Sequence, residues 1–158
     1  MNKDRLCAFS DGVIAILITI MVLELKTPKG SDWHSLRDLV PTLLAYSLSF
    51  LFLGIYWNNH HHMLQLVDRV EGRILWANLH LLFWLSLIPF VTAWIGEFGR
   101  EKVPAAVYGI VMFASGIAYY TLQQIIISVQ GPESRLKAAI ARDVKGKISP
   151  DRPSSGEK

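Results

Sequence analysis

The chain predicts an all-α, polytopic integral membrane protein with four transmembrane helices and both termini in the cytoplasm. Three observations carry that expectation. Hydrophobic residues make up 51% of the 158 positions and fall in four long runs that are almost free of charge, as membrane-crossing helices require. Charged, proline- and glycine-bearing turns separate the runs. Lysine and arginine are unevenly shared between the two sides those turns define. The length suits one domain: residues 1–132 read as a transmembrane repeat and residues 133–158 as a basic cytoplasmic tail, partly disordered. The single Cys7 excludes an internal disulfide.

The first span is placed at residues 8–25. Its uncharged centre, residues 12–23, is short against the roughly 20 residues a bilayer needs, so Asp11 and Glu24 are expected near the two interfaces. Asp11 also spoils the basic start of a cleavable signal peptide, and Glu24-Leu25-Lys26 is no small-residue cleavage site. A loop with Thr27-Pro28-Lys29-Gly30 follows, and Ser31-Asp32 reads as a turn and helix cap.

The second span, residues 39–57, is uncharged and runs out into Asn58, Asn59 and His60-His61-His62. The third, residues 74–96, carries Trp76 and Trp94 at positions suited to the two interfaces, and Pro89 predicts a kink in its outer third. Residues 103–129 form the fourth span. Beyond Gly131-Pro132 the chain turns polar; residues 133–147 read as a short amphipathic helix and 148–158 as disordered.

Four spans put Lys3, Arg5, Arg69, Arg73 and seven cations of the tail on one side, eleven in all, against five on the other. The tail decides the orientation: termini inside.

Within this frame one stretch carries the chemistry. Arg5, Phe9, Ser10 and Asp11 stand at the mouth of the first span, and ionisable groups in such places are costly unless paired. At about 100° per residue, Ser10 and Asp11 point away from the stripe Gly12, Ile16, Thr19, Ile20 and Leu23. They are expected to face neighbouring helices, where Asn78, His80, Arg73 and the end of the second span can satisfy them in a buried polar knot. His60 and His80 are also candidates for a role in gating or proton sensing. Copies of the stripe around an axis would present apolar rings of Ile16, Ile20 and Leu23 and one hydroxyl ring from Thr19. Apolar residues at helical spacing otherwise meet lipid or other helices, and periodicity does not choose between these.

The string R-x-x-x-F-S-D at Arg5–Asp11, followed by Gly12-Val13-Ile14-Ala15-Ile16, resembles the opening of the first helix in the transmembrane protein 175 family of potassium channels. The end of the second span, Gly54-Ile55-Tyr56-Trp57-Asn58-Asn59-His60-His61, and the third, from Leu75-Trp76-Ala77-Asn78-Leu79 to Ile88-Pro89-Phe90, resemble the family's second and third helices. The resemblance covers roughly residues 3–147. It implies a homotetrameric, potassium-preferring cation channel subunit in the cell membrane, of the bacterial single-repeat type, with potassium ions and the lipid bilayer as partners. It also implies that the first helix lines the pore, that Ile16, Ile20 and Leu23 form the constriction, and that Thr19 contributes to ion selectivity. Family repeats have six spans and this chain has four, so the alternative is a non-conducting accessory or truncated subunit.

Other classes are disfavoured. Consecutive histidines on a helix diverge by about 100° and do not converge on one ion, and no H-E-x-x-H spacing occurs. There is no G-x-S-x-G, and Ser10 neighbours an acid rather than a histidine. No enzymatic activity, metal, cofactor or nucleic-acid partner is expected.

Overall fold

The first helix starts where a cap allows it rather than where the charges end. The computed structural model describes residues 2–99, 101–131, 136, 139 and 140. In it the Asn2 side chain accepts from the Asp4 amide at 3.1 Å, and α1 spans Lys3–Leu23 with Asp4 in its first turn. Both features favour a helix N-terminus. The observed helix therefore begins five residues before the expected span. Charged residues at its mouth do not stop a capped helix.

A loop leads to the short α2, Trp33–Arg37, where Asp32 is the cap: its carboxylate accepts from the Ser35 amide at 2.8 Å. That bond, with the Ser35 hydroxyl, holds the Asp32 carboxyl below its ordinary value. Helix α3, Val40–Gln65, opens with Pro41 in its first turn, where a missing N–H costs nothing. It continues through Asn58, Asn59 and the three histidines to Gln65, well past the expected end at Trp57. Loss of hydrophobicity marks the membrane boundary, not the end of the helix.

The third span is two helices, α4 (Gly72–Ser86) and α5 (Ile88–Phe98), which together make one membrane-length segment, Gly72–Phe98. The break at Leu87 follows from Pro89. Its ring nitrogen has no hydrogen to give the carbonyl four residues earlier, and the Leu87 amide turns to Trp84 O at 3.3 Å. Helix α6, Lys102–Gln130, ends at Gly131, whose φ of 72° is open to glycine and whose amide bonds Ile127 O at 3.1 Å. Leu136, Ala139 and Ile140 are helical, with Leu136 buried. The rest of residues 132–158, on which the expected amphipathic helix and disordered end fall, lies outside the described residues.

All regular structure among the described residues is helical, and Lys3–Leu23, Val40–Gln65, Gly72–Phe98 and Lys102–Gln130 are long and apolar enough to cross a membrane. Helix α1 packs on α3, α4 and α5; α3 also packs on α5, and α6 on α4 and α5. The core is apolar at helical spacing: Leu6, Ile14, Leu17 and Met21 of α1 meet Leu53 of α3 and Ile74, Leu81 and Leu85 of α4. Val111, Ala118, Leu122 and Ile126 of α6 close it.

Gly96 lets α5 approach α3. A Cβ there would lie 3.0 Å from Thr42 Cγ2 and 3.1 Å from Thr42 Cα, and the Thr42 hydroxyl donates to Gly96 O at 3.0 Å. Small residues at such crossings are how membrane helices come close enough for dispersion to hold them.

Candidate functional site

Helix α1 has two unlike faces. Leu6, Ser10, Ile14, Leu17 and Met21 are buried against the other helices. The opposite stripe, Gly12, Ile16, Thr19, Ile20 and Leu23, is exposed along its whole length. Ile16 is 56% exposed, Ile20 39% and Leu23 80%. The packing of this chain thus leaves uncovered the residues to which the family resemblance gives the constriction. Arg5 and Phe9 continue the same exposed line toward the N-terminus.

Thr19 is the one hydroxyl on the stripe. It donates its proton to Ile16 O at 2.8 Å, so the lone pairs of its oxygen are left for whatever the stripe faces.

Behind the stripe lies a buried chain of hydrogen bonds with a defined direction. The Ser10 hydroxyl donates to Leu6 O at 2.9 Å, and so accepts from the Asn78 amide at 2.9 Å. That fixes the Asn78 oxygen toward His60 Nε2, 2.7 Å away, and the imidazole must donate there. Ser10, Asn78 and His60 are each fully buried. The chain ties α1, α4 and α3 together at one depth. Each group left unpaired there would cost about 1–3 kcal/mol.

Asp11 takes a different partner set. Trp57 Nε1 donates to its Oδ1 at 3.0 Å, and His61 Nδ1 stands 3.5 Å from its Oδ2. His61 Nε2 is 2.7 Å from Gln65 Nε2, and Lys3 Nζ donates to Gln65 O at 3.2 Å. Trp57, His61 and Gln65 are spaced by four along α3, one turn apart, and grip α1 from its N-terminal end up to Asp11. Asp11 is a third exposed at this edge.

The structure therefore redraws the expected knot. Ser10 and Asn78 meet, but Asp11 is held by Trp57 and His61 rather than by Asn78. His80 stands outside it, exposed, accepting from Trp84 Nε1 at 3.0 Å. The reason is phase: Asn78 and His80 diverge by about 200° around α4, so they do not share a face. Arg5 and Phe9 are likewise exposed rather than packed into the knot. The three histidines take three directions, His60 inward, His61 toward Asp11 and His62 outward.

A second polar chain, buried at Ser49 and Thr92 and half-buried at Tyr108, has no mark in the sequence. Thr92 of α5 donates to Ser49 Oγ of α3 at 2.7 Å, and Ser49 Oγ lies 3.0 Å from the Tyr108 hydroxyl of α6. It ties α3, α5 and α6 as the first ties α1, α3 and α4.

The sequence profile of the family described as "Endosomal/lysosomal potassium channel TMEM175" matches residues 5–89, which take in α1 from Arg5 onward together with Trp57, His61 and Asn78. A protein named potassium channel from Chryseobacterium sp. (strain P1-3) is 58% identical over 149 residues, covering 94% of this chain and 78% of that protein. A potassium channel from Streptomyces collinus is 42% identical over 131 residues, 77% of this chain and 64% of its own length. The crystal structure of a lysosomal potassium-selective channel TMEM175 homolog from Chamaesiphon minutus is similar with a TM-score of 0.78 at 31% identity, over 91% of this chain and 80% of that one. The chain belongs to the TMEM175 family.

Proposed function

We propose that the chain is a subunit of a potassium-preferring cation channel in the cell membrane, assembled from four copies with the exposed stripe of α1 facing the pore. The observation that carries this reading is the contrast between the faces of α1. The helix is pinned from behind by Ser10 and Asp11, while Gly12, Ile16, Thr19, Ile20 and Leu23 are left open.

In such a ring, Ile16, Ile20 and Leu23 form three apolar layers over about 10 Å of helix. A constriction of that kind controls conduction by dewetting. Thr19 sits between the first two layers. With its proton committed to Ile16 O at 2.8 Å, its oxygen serves as an acceptor for a partly dehydrated cation, which favours the ion that sheds water more easily. The catalytic repertoire of an enzyme has no part in this reading. The termini are assigned to the cytoplasm by the excess of lysine and arginine on their side.

The test is potassium flux into liposomes carrying only this chain. Potassium flux that needs no added partner supports the reading. Well-folded protein without flux favours a non-conducting accessory subunit.

A further inference from the structure

At about 100° per residue, Arg5 lies within about 10° of the midline of the exposed α1 stripe. Phe9 lies about 30° to one side of that midline, and Ala8 and Asp4 about 70° and 110° to the other. All four are exposed. Among the described residues, neither the Asp4 carboxylate nor the Arg5 guanidinium has a hydrogen-bond or ion-pair partner. On the Phe9 side, a cleft of about 350 Å³ opens between α1 and α4, lined by Arg5, Leu6, Phe9, Leu75, Asn78 and Leu79. On the Asp4 side the surface is small-residued, and a Cβ placed on Gly12 would meet nothing within 4 Å. The fold of one subunit gives no reason for a glycine there.

We infer that the cleft receives the α1 flank of a second copy of this chain, with Arg5 pairing to Asp4 of the neighbouring subunit and Phe9 packing over that subunit's Ala8 and Gly12. The inference rests on the reading of α1 as the pore-lining helix. Rotation about an axis preserves height, so residues that meet across a ring must lie at similar levels on α1. Asp4 and Arg5 differ by about 1.5 Å, as do Ala8 and Phe9. The two flanks differ in shape and charge, so the contact is heterologous, the type that forms a ring when its rotation closes. It also answers an electrostatic problem. Unneutralised arginine rings suit anion pores, and an arginine on the pore line of a cation channel needs a carboxylate at its own level.

The experiment uses the full chain in detergent, with assembly read by light scattering and helicity by circular dichroism. Asp4→Lys and Arg5→Glu each place like charges across every contact, and each alone should lower the oligomeric fraction several-fold at unchanged helicity. Mixed one to one they should assemble, because alternating subunits restore an opposite pair at every contact. A mixture no better assembled than either variant, or a variant alone assembled like the parent, would overturn the pairing.

A second arm places Asp4→Cys and Arg5→Cys together in a Cys7→Ser chain. Mild oxidation should give dimer-to-tetramer bands that the single cysteines do not reach as a ladder. An assembled ring without that ladder contradicts the proposal. A parent chain that is monomeric throughout removes the assembly reading itself, whereas conduction is not a readout in either arm.

Discussion

Asn78 Nδ2 donates to Ser10 Oγ at 2.9 Å across the α1–α4 contact, with both side chains fully buried. Because Ser10 already gives its proton to Leu6 O and Asn78 receives from His60, removing the amide strands two groups at once. Asn78→Leu should destabilise the subunit by about 2–4 kcal/mol, read as a lower thermal midpoint in detergent. Ser10→Ala alone should cost less, and the double variant should show a coupling of about 0.5 kcal/mol or more. Strict additivity would mean the bond contributes nothing of its own.

Asp11 is attached to the same helix by groups at a wetter edge, and its side chain is a third exposed. Asp11→Ala should therefore cost about 1–2 kcal/mol and lower the yield of assembled protein while leaving ion preference intact. The measurement is oligomer yield beside the reversal potential of what assembles. Well-formed oligomer with a changed preference would put Asp11 in the pathway instead of behind it.

Gly96→Ala tests the close approach of α5 to α3. The new methyl carbon meets Thr42 at 3.0–3.3 Å, and overpacking of this degree costs about 1–3 kcal/mol. Unfolding in a denaturing detergent should show the loss. The paired change Thr42→Ser, which removes the crowding methyl and keeps the hydroxyl, should recover part of it.

Ile16→Asn should be nearly neutral for folding, since the position is 56% exposed in the subunit. In liposomes it should raise flux and weaken discrimination between potassium and sodium, because a polar ring holds water where an apolar ring expels it. Unchanged flux would remove Ile16 from the constriction.

Much of this arrangement is legible in the amino-acid sequence, and the parts that are not share a cause. Uninterrupted apolar runs give the number of spans, and Pro89 announces the break at Leu87. The phase of Ser10 against Ile16 and Leu23 gives the two faces of α1. The helix ends at Lys3 and Gln65 lie beyond the apolar runs because hydropathy reports the membrane, whereas a cap such as Asn2 reports the helix. The phases of Asn78 and His80 on α4 oppose each other, and this separation is legible in their spacing of two. The same holds for the turn-by-turn spacing of Trp57, His61 and Gln65, visible once α3 is carried through the histidines. Ser49, Thr92 and Tyr108 are different: single hydroxyls in apolar runs carry no sequence mark of a shared partner, and only the packing of α3, α5 and α6 brings them together.

If the open stripe of α1 is the ion pathway, its one hydroxyl should set the ion preference. Potassium and sodium fluxes are compared in liposomes containing the parent chain alone and its Thr19→Ala variant. The parent should give potassium-preferring flux, and flux should persist with a smaller potassium-to-sodium ratio when the hydroxyl is lost. A variant with the parent's ratio would contradict it, since Thr19 is the one polar side chain that the stripe offers between Ile16 and Leu23.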